Sequence, residues 1–236
     1  MIESKIVKVY ESVEGENIVE IEILQNMELI NKVKRVIKNE EVRKLVEKRI
    51  KEFEKIGKSS KEKIFSELCF CILTANFNAE RALKIQKYLE KEFLLLGEKE
   101  LAKKLKNLGH RYPNTRAKYI VEAKRKLNEL IKILQDKNKN EYEKREWLVK
   151  NIKGIGYKEA SHFLRNIGYK NIAIIDFHIL DLLVKNNLLK EKPKSLTKSK
   201  YLEIENLLRK LAQKLCITLA ELDLYLWYLE TGKIVK

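Results

Sequence analysis

Two charged residues, Lys158 and Asp176, are spaced so that an amine nucleophile and an assisting carboxylate could come together in the fold. The first, Lys158, follows the turn Gly154-Ile155-Gly156 and falls in the first turn of the helix expected after it. The partial positive charge of a helix N-terminus and the many neighbouring cations disfavour an ammonium group at this position. A lysine that gives up its proton becomes a nucleophile. A surface lysine that binds phosphate is the plainer alternative.

The second side chain, Asp176, can return to Lys158 because of the chain length between them. About ten helical residues after Lys158 rise roughly 15 Å, and Gly168 can end that helix. Residues 172–175 are apolar and can run back as extended chain, which covers about 3.3 Å per residue. A carboxylate placed there stabilises developing positive charge or moves protons. Asp176 is also suited to cap a helix over residues 177–185, and the two roles are compatible.

The turn that precedes Lys158 has the features of an anion site. Gly154 and Gly156 permit close approach of the backbone, and Ile155 can anchor the turn in the core. The exposed amides of the turn and of the next helix can bind a DNA phosphate without reading a base. An ordinary helical hairpin carries the same pattern, but 50 Lys and Arg against 34 Asp and Glu give a formal charge of +16. That excess predicts a polyanionic partner.

The elements that position these residues are predicted to be helices. After Asn26, apolar residues recur three or four apart with Lys and Glu between them, so residues 26–236 are expected to form an all-α body. A capping box at Ser59 and Glu62 is expected to start a nearly all-apolar central helix, and a long helix is expected from Arg116. Residues 1–25 instead alternate around Gly15 and predict a short N-terminal β-hairpin extension.

Composition excludes several classes of protein. Cys69, Cys71 and Cys216 are too few for a disulfide framework, which fits a reducing compartment. The sequence shows no long apolar run and no signal-peptide core, so a cytoplasmic protein without a membrane span is expected. His and Cys residues show no zinc spacing, and no phosphate-binding loop or dinucleotide motif is present. The chemistry is therefore predicted to need no metal and no cofactor.

These residues resemble the helix-hairpin-helix superfamily of DNA base-excision glycosylases, over about residues 27–236. Lys153-Gly-Ile-Gly-Tyr-Lys158, followed by Ile174-Ile-Asp-Phe-His178, is typical of the branch that also has lyase activity. Four further stretches make the chain similar to the compact, archaeal-type second family of 8-oxoguanine DNA glycosylase/AP lyases: residues 67–76, 106–112, 116–119 and 222–236.

The resemblance implies a two-lobed helical fold with the helix-hairpin-helix at about residues 141–167 and a cleft that takes a flipped base. It implies that Lys158 attacks the sugar C1′, that 8-oxoguanine leaves, and that a Schiff base forms and undergoes β-elimination. Asp176 would stabilise the oxocarbenium-like state. The expected partner is double-stranded DNA containing oxidised guanine. A monomer without an obligatory protein partner is expected, because one lesion needs one cleft.

The resemblance also assigns residues to the base and to the duplex. Trp227 matches a position that stacks on the flipped base, and the terminal carboxylate of Lys236 matches a group that helps to recognise the oxidised purine. Phe77, or alternatively Tyr112, would wedge into the gap that the base leaves. Besides the glycines of the turn, four residues are expected to contact DNA: Asn76, Arg81, Arg116 and His178. The first three match positions that probe the orphaned base.

The sequence departs from the superfamily in two places, and two alternatives stay open. The loop before Asp176 lacks proline, and residues 1–25 lie outside the compact family's common core, with Met27 as an alternative start. The four closely spaced cysteines of the iron–sulfur relatives are missing, which excludes such a cluster. The same chemistry on another oxidised base and a non-catalytic helix-hairpin-helix DNA-binding module remain alternatives. A panel of modified oligonucleotides and covalent trapping separate these from the leading hypothesis.

Overall fold

The computed structural model describes residues 16–234, and their side chains from residue 27 onward. All regular structure in this part of the chain is helical, and the predicted all-α body is confirmed. The helices are α1 (Glu16–Lys38), α2 (Glu40–Gly57), α3 (Lys61–Thr74), α4 (Ala79–Leu89), α5 (Glu98–Asn107), α6 (Pro113–Arg125), α7 (Leu127–Gln135), α8 (Glu141–Asn151), α9 (Tyr157–Asn166), α10 (Phe177–Lys185), α11 (Lys198–Leu215) and α12 (Leu219–Thr231).

Two apolar cores divide the described helices into two lobes. The first core is built from α3 to α9, with the nearly all-buried α3 at its centre. The second core combines α1 and α2 with α10 to α12. The chain therefore starts in the second lobe, builds the first, and returns through residues 172–175, of which Ile172 belongs to the first core and Ile175 to the second. The helix-hairpin-helix is the pair α8 and α9.

The cap of α3 differs from the prediction by one residue. The side chain of Ser60, and not that of Ser59, accepts a hydrogen bond from the Lys63 amide at 3.4 Å. The hydroxyl of Ser59 donates a hydrogen bond of 2.6 Å to the carbonyl oxygen of Ile56 in the last turn of α2 and so helps to cap the C-terminus of that helix. Because Ser59 serves the preceding helix, the next serine, whose backbone is extended, becomes the N-cap.

The single long helix expected from Arg116 is wrong. Helix α6 begins earlier, with Pro113 in its first turn, and the helical run is interrupted at Lys126 before α7 starts. Proline suits the first helical turn because its fixed φ is already helical and its missing amide would have no partner there. The amide of Lys126 bonds to the carbonyl of Ala123 at 3.0 Å, which makes the tight turn between the two helices.

The expected N-terminal β-hairpin falls partly outside the described residues. Residues 1–15, which hold its first strand, are not described, whereas residues 18–23 belong to α1, so the second strand is wrong. Val19 and Ile23 are also spaced four apart, which suits one face of a helix. A helix continuous with residues 27–38 satisfies its backbone groups internally and needs no partner strand. The division into residues 1–25 and 26–236 remains a prediction.

Within residues 16–234, no helix combines the length and the hydropathy needed to cross a bilayer.

Candidate active site

The turn between α8 and α9 presents Lys158 at the start of α9. Gly154 has a φ of +79°, and a Cβ atom there would lie 2.2 Å from the Tyr119 ring, so only glycine fits. Gly156 is the N-cap of α9. The Lys158 side chain is 26% exposed, and its Nζ atom lies 3.6 Å from a carboxylate oxygen of Glu159. The hairpin thus places the amine in a partly shielded position at a helix N-terminus.

Asp176 is the N-cap of α10, as predicted. Its Oδ1 atom accepts a hydrogen bond from the Ile179 amide at 2.9 Å. This bond fixes the orientation of the carboxylate and ties it to the start of a helix, where negative charge is favourable. The capping role therefore holds Asp176 in one place while it leaves a second oxygen for other chemistry.

The apolar segment that delivers Asp176 is held by Tyr201 on α11. The Tyr201 hydroxyl donates to the carbonyl oxygen of Ala173 at 2.7 Å and accepts from the Ile175 amide at 3.3 Å. The same hydroxyl lies 3.2 Å from the Oγ atom of Ser161 on α9. One buried side chain therefore links the segment that leads to the carboxylate with the helix that carries the amine.

A buried ion pair reinforces this link. Arg145 on α8 donates two hydrogen bonds, of 2.6 and 2.8 Å, to the carboxylate of Glu205 on α11. The same carboxylate accepts from the Ala173 amide at 2.8 Å, and Arg145 also donates to Ser161 at 3.2 Å. Both charged side chains are almost fully buried. Breaking such a pair costs about 3–5 kcal/mol, because one charge is left buried without its partner.

Lys158 and Asp176 line the same cleft. It has a volume of about 410 Å³, within the usual range of small-molecule pockets, which is roughly 300–1,000 Å³. Its walls come from both lobes: the loop after α3 and helix α9 on one side of the fold, and the start of α10 and helix α12 on the other. The convergence expected from the helix rise and the extended return is therefore observed.

Aromatic side chains form part of the lining. Trp227 lies edge-on to His178, with 5.1 Å between the ring centroids, and its Nε1 atom is buried without a hydrogen-bond partner among the described residues. Phe77 packs on His110 at 4.2 Å, and the Arg81 guanidinium lies 5.1 Å from its ring centroid. The structure thus brings Phe77, His178 and Trp227 to the cleft. Lys236 lies outside the described residues.

The three residues expected at the orphaned base lie beside the cleft rather than in its lining. Asn76 has a φ of +56°, which is uncommon for a residue other than glycine and often marks a functional site. Arg116 donates to the carbonyl oxygen of Ala75 at 2.5 Å, and burial lowers the pKa of its guanidinium. Arg81 donates to the carbonyl oxygen of Gly109 at 2.9 Å. The two arginines support the loops around Asn76.

Sequence reasoning missed a buried ion pair in the cleft. A carboxylate oxygen of Asp223 lies 3.6 Å from the Nη2 atom of Arg165, and both side chains line the cleft. Burial raises the pKa of Asp223 to about 6; Arg165 and Lys158 oppose that rise, and Asp176 adds to it. The available signal was the spacing of Asp223 and Trp227, which places them on one face of α12.

The arrangement supplies an amine, an oriented carboxylate and aromatic surface within one cleft. An amine that attacks a carbon and a carboxylate that stabilises positive charge on it suit bond exchange at a sugar carbon through a covalent intermediate. Within the part of the chain that the structure describes, no three His, Cys, Asp or Glu side chains are grouped as metal ligands would be.

Comparisons with known proteins point to one family. A sequence model described as "8-oxoguanine DNA glycosylase" matches residues 46–217. The chain is 54% identical over 209 residues to the 8-oxoguanine DNA glycosylase/AP lyase of Korarchaeum cryptofilum, covering 89% of this chain and 98% of that protein.

Two solved structures are similar over nearly the whole described fold. The Methanocaldococcus jannaschii 8-oxoguanine glycosylase/lyase, in complex with a 15mer DNA containing 8-oxoguanine, has a TM-score of 0.84 and 54% identity, with 88% of this chain and 99% of that chain covered. The 8-oxoguanine DNA glycosylase of Thermotoga maritima has a TM-score of 0.83 and 44% identity, with 89% and 100% covered.

Proposed function

The chain belongs to the 8-oxoguanine DNA glycosylase family, and on that premise we propose how its own residues excise 8-oxoguanine from DNA and cleave the abasic site that results. The enzyme is a DNA N-glycosylase and an AP lyase. One observation carries the assignment of residues: Lys158 and Asp176 line a single cleft between the two lobes. This cleft is where the sugar of the damaged nucleotide is attacked.

The lesion must leave the duplex before Lys158 can reach it. The glycosidic carbon of a stacked base is inaccessible, so the damaged nucleotide is flipped into the cleft. The turn that contains Gly154 and Gly156 binds a backbone phosphate, and His178, which is exposed and lines the cleft, also contacts the DNA. The net charge of +16 supplies long-range attraction to the duplex.

The first chemical step exchanges the base for the lysine. The Nζ atom of Lys158 forms a bond to C1′ while the bond from C1′ to N9 breaks, and the electron pair leaves with the base, which takes up a proton. The attacking nitrogen loses a proton, and the sugar ring then opens: the bond from C1′ to O4′ breaks, O4′ takes up a proton, and the nitrogen forms a double bond to C1′, which gives a protonated Schiff base. Asp176 stabilises the positive charge that develops at the sugar.

The second step cleaves the strand. The Schiff base withdraws electrons, so a proton leaves C2′ and the bond from C3′ to its phosphate oxygen breaks in a β-elimination. Water then releases Lys158 from the sugar. Asp176 is the N-cap of α10, and its hydrogen bond from the Ile179 amide fixes the direction of its carboxylate. The carboxylate is therefore placed to move protons in both steps.

Recognition of the lesion uses residues on both lobes. Trp227 stacks on the flipped base, and Phe77 fills the space that the base vacates in the duplex. Asn76, Arg81 and Arg116 probe the base opposite the lesion; Arg116 also holds the Asn76 loop through the carbonyl oxygen of Ala75, and Arg81 bonds to the carbonyl oxygen of Gly109. The terminal carboxylate of Lys236 reads the oxidised purine.

The enzyme works as a monomer without an obligatory protein partner, in the cytoplasm where its DNA substrate is found. Both walls of the cleft come from one chain, so a second copy is not needed to complete the site. Sedimentation of the enzyme bound to a duplex with one lesion is expected to give a complex of one chain and one duplex; a complex of two chains would contradict this.

Covalent trapping tests the assignment of Lys158. Borohydride reduction on a duplex with a single 8-oxoguanine is expected to give a covalent protein–DNA species with the wild type and none with Lys158→Ala. Lys153→Ala is the matched control, because Lys153 lies on the same hairpin but is 61% exposed and paired with Glu122. At saturating DNA this control is expected to trap as the wild type does. Trapping by Lys158→Ala at the wild-type level would refute the assignment.

A further inference from the structure

Asp223 is a largely buried carboxylate in the cleft that the proposed reaction does not use. Its side chain is 14% exposed and lines the cleft together with Lys158 and Asp176. It lies on α12 one turn before Trp227, so both side chains project from the same face of that helix. Burying a carboxylate is costly unless it is paired and hydrogen-bonded, so its presence here needs a reason.

The charge of Arg165 offsets only part of the cost of burying the Asp223 carboxylate. The side chain of Arg165 is 4% exposed, and its guanidinium lies 4.6 Å from the ring centroid of Phe53. The distance of 3.6 Å to Asp223 is longer than a hydrogen bond, so Arg165 contributes charge and orientation without occupying the carboxylate oxygen. The Nε and Nη1 atoms of Arg165 are also buried without hydrogen-bond partners among the described residues. This corner of the cleft therefore retains hydrogen-bonding capacity that a ligand can complete.

The hydrogen-bond donors of the flipped base match the free acceptor capacity of the Asp223 carboxylate. Guanine and 8-oxoguanine carry two adjacent donors on the Watson–Crick edge, the N1–H and the 2-amino group, and an ionised carboxylate accepts two such bonds at once. Adenine-type bases present an acceptor at N1 instead, which a carboxylate repels. A base stacked on Trp227 brings its edge within reach of a residue one turn away on the same helix face.

We propose that Asp223, oriented by Arg165, accepts hydrogen bonds from the N1–H and the 2-amino group of the flipped base and so selects guanine-type over adenine-type lesions. This inference rests on the proposed function and adds a specificity residue to it. The competing role for Asp223 is proton transfer with Lys158, because the charges of Lys158 and Asp176 both act on it. The experiment separates the two roles.

The test compares three lesions under single-turnover conditions with enzyme in excess. The duplexes carry 8-oxoguanine, 8-oxohypoxanthine, which lacks the 2-amino group, or 8-oxoadenine, which lacks both donors. Asp223→Asn is expected to excise 8-oxoguanine roughly 10- to 100-fold more slowly, the worth of a hydrogen bond to a charged group. The loss is expected to be smaller for 8-oxohypoxanthine and absent for 8-oxoadenine. Equal losses on all three would overturn the proposal.

A preformed abasic site supplies the matched control. Its cleavage needs Lys158 and Asp176 but offers no base to read, so Asp223→Asn is expected to cleave it at the wild-type rate. If that cleavage falls as far as 8-oxoguanine excision, Asp223 acts in the lysine chemistry and the proposal is wrong. A wild type that cleaves abasic sites but does not excise 8-oxoguanine would instead contradict the proposed function.

A measurement on the wild type alone covers the case in which Asp223→Asn does not fold. Removal of the 2-amino group from the substrate deletes one of the two bonds from the ligand side. The wild type is therefore expected to excise 8-oxohypoxanthine roughly 10-fold more slowly than 8-oxoguanine. Equal rates on these two lesions would refute recognition of the 2-amino group by a carboxylate.

Discussion

The Tyr201 hydroxyl donates a hydrogen bond of 2.7 Å to the carbonyl oxygen of Ala173, in the segment that leads to Asp176. The same hydroxyl lies 3.2 Å from Ser161, which is on the helix that begins with Lys158. A single oxygen on α11 thus sets how the carboxylate-bearing segment lies against the amine-bearing helix. Tyr201 is a positioning residue for both, because it is almost fully buried and is not part of the cleft lining.

Removal of that oxygen is expected to slow the chemistry while DNA binding is kept. Tyr201→Phe leaves the buried ring in place, and a small displacement of Asp176 relative to Lys158 lowers the single-turnover excision rate roughly 10-fold. The Kd for lesion-containing duplex is expected to stay at the wild-type value. Tyr88→Phe, at a tyrosine that is 68% exposed, is the control and should change neither quantity. A raised Kd with an unchanged rate would assign Tyr201 to binding instead.

Asp176→Asn separates the capping role from the catalytic one. Asparagine keeps a side-chain oxygen that can accept from the Ile179 amide, so α10 keeps its cap. The substitution removes the negative charge, and excision is expected to fall by about 100-fold or more, the usual contribution of a positioned acid–base group. Thermal unfolding and DNA affinity are expected to change little.

Asp181→Asn is the matched control for that variant, since Asp181 lies on the same helix and pairs with Lys192 at the surface. It should excise 8-oxoguanine as the wild type does. Cleavage by Asp176→Asn at the rate of this control would remove Asp176 from the catalytic site.

The proposed role of Asp223 predicts a dependence on pH. Burial raises the pKa of Asp223 to about 6, with Arg165 and Lys158 on α9 opposing the rise and Asp176 on α10 adding to it. The carboxylate is ionised above that pH and protonated below it, so the preference for 8-oxoguanine over 8-oxoadenine is expected to fall as the pH drops through 6. The ratio of the two single-turnover rates, measured from pH 5 to pH 7.5, reports this step. Asp223→Asn should show a flat ratio over this range.

The C-terminal residues carry a separate prediction about the oxidised ring. Deletion of Val235 and Lys236 is expected to reduce the ratio of 8-oxoguanine excision to guanine excision, because the terminal carboxylate moves away from the purine. Lys200→Ala, which removes a surface ion pair with Glu203 outside the cleft lining and keeps the chain end, is the comparison and should leave the ratio unchanged. An unchanged ratio after the deletion would reject the assignment of Lys236.

The features that could be predicted most accurately from the sequence are those that depend on residues close together along the chain. The return of Asp176 towards Lys158 follows from helix rise and extended length, and the N-cap role of Asp176 follows from its position directly before the apolar residues of α10. Each of these depends on spacing within a short segment. The three- and four-residue spacing of the apolar residues likewise predicted the helical body, since that spacing is local to each amphipathic helix.

The features that sequence missed depend on distant contacts or on competition between neighbours. Arg165 and Asp223 meet only because α9 and α12 approach each other across the cleft, and neither residue has a local signal for its partner. The choice between Ser59 and Ser60 as the cap of α3 depends on which serine the preceding helix uses. The start of α6 at Pro113, before the predicted start at Arg116, depends on whether the proline lies in a loop or in the first helical turn, and proline is compatible with both.

The order of the two cores along the chain determines which of them can fold first during synthesis on the ribosome. The second core joins α1 and α2 to α10, α11 and α12, so it cannot close until the ribosome has delivered the end of the polypeptide. The first core is contiguous and can form while synthesis continues. During synthesis, Lys158 is therefore in place before α12, the helix that carries Trp227. A product truncated before α12 would have the lysine but not the cleft wall that recognises the base.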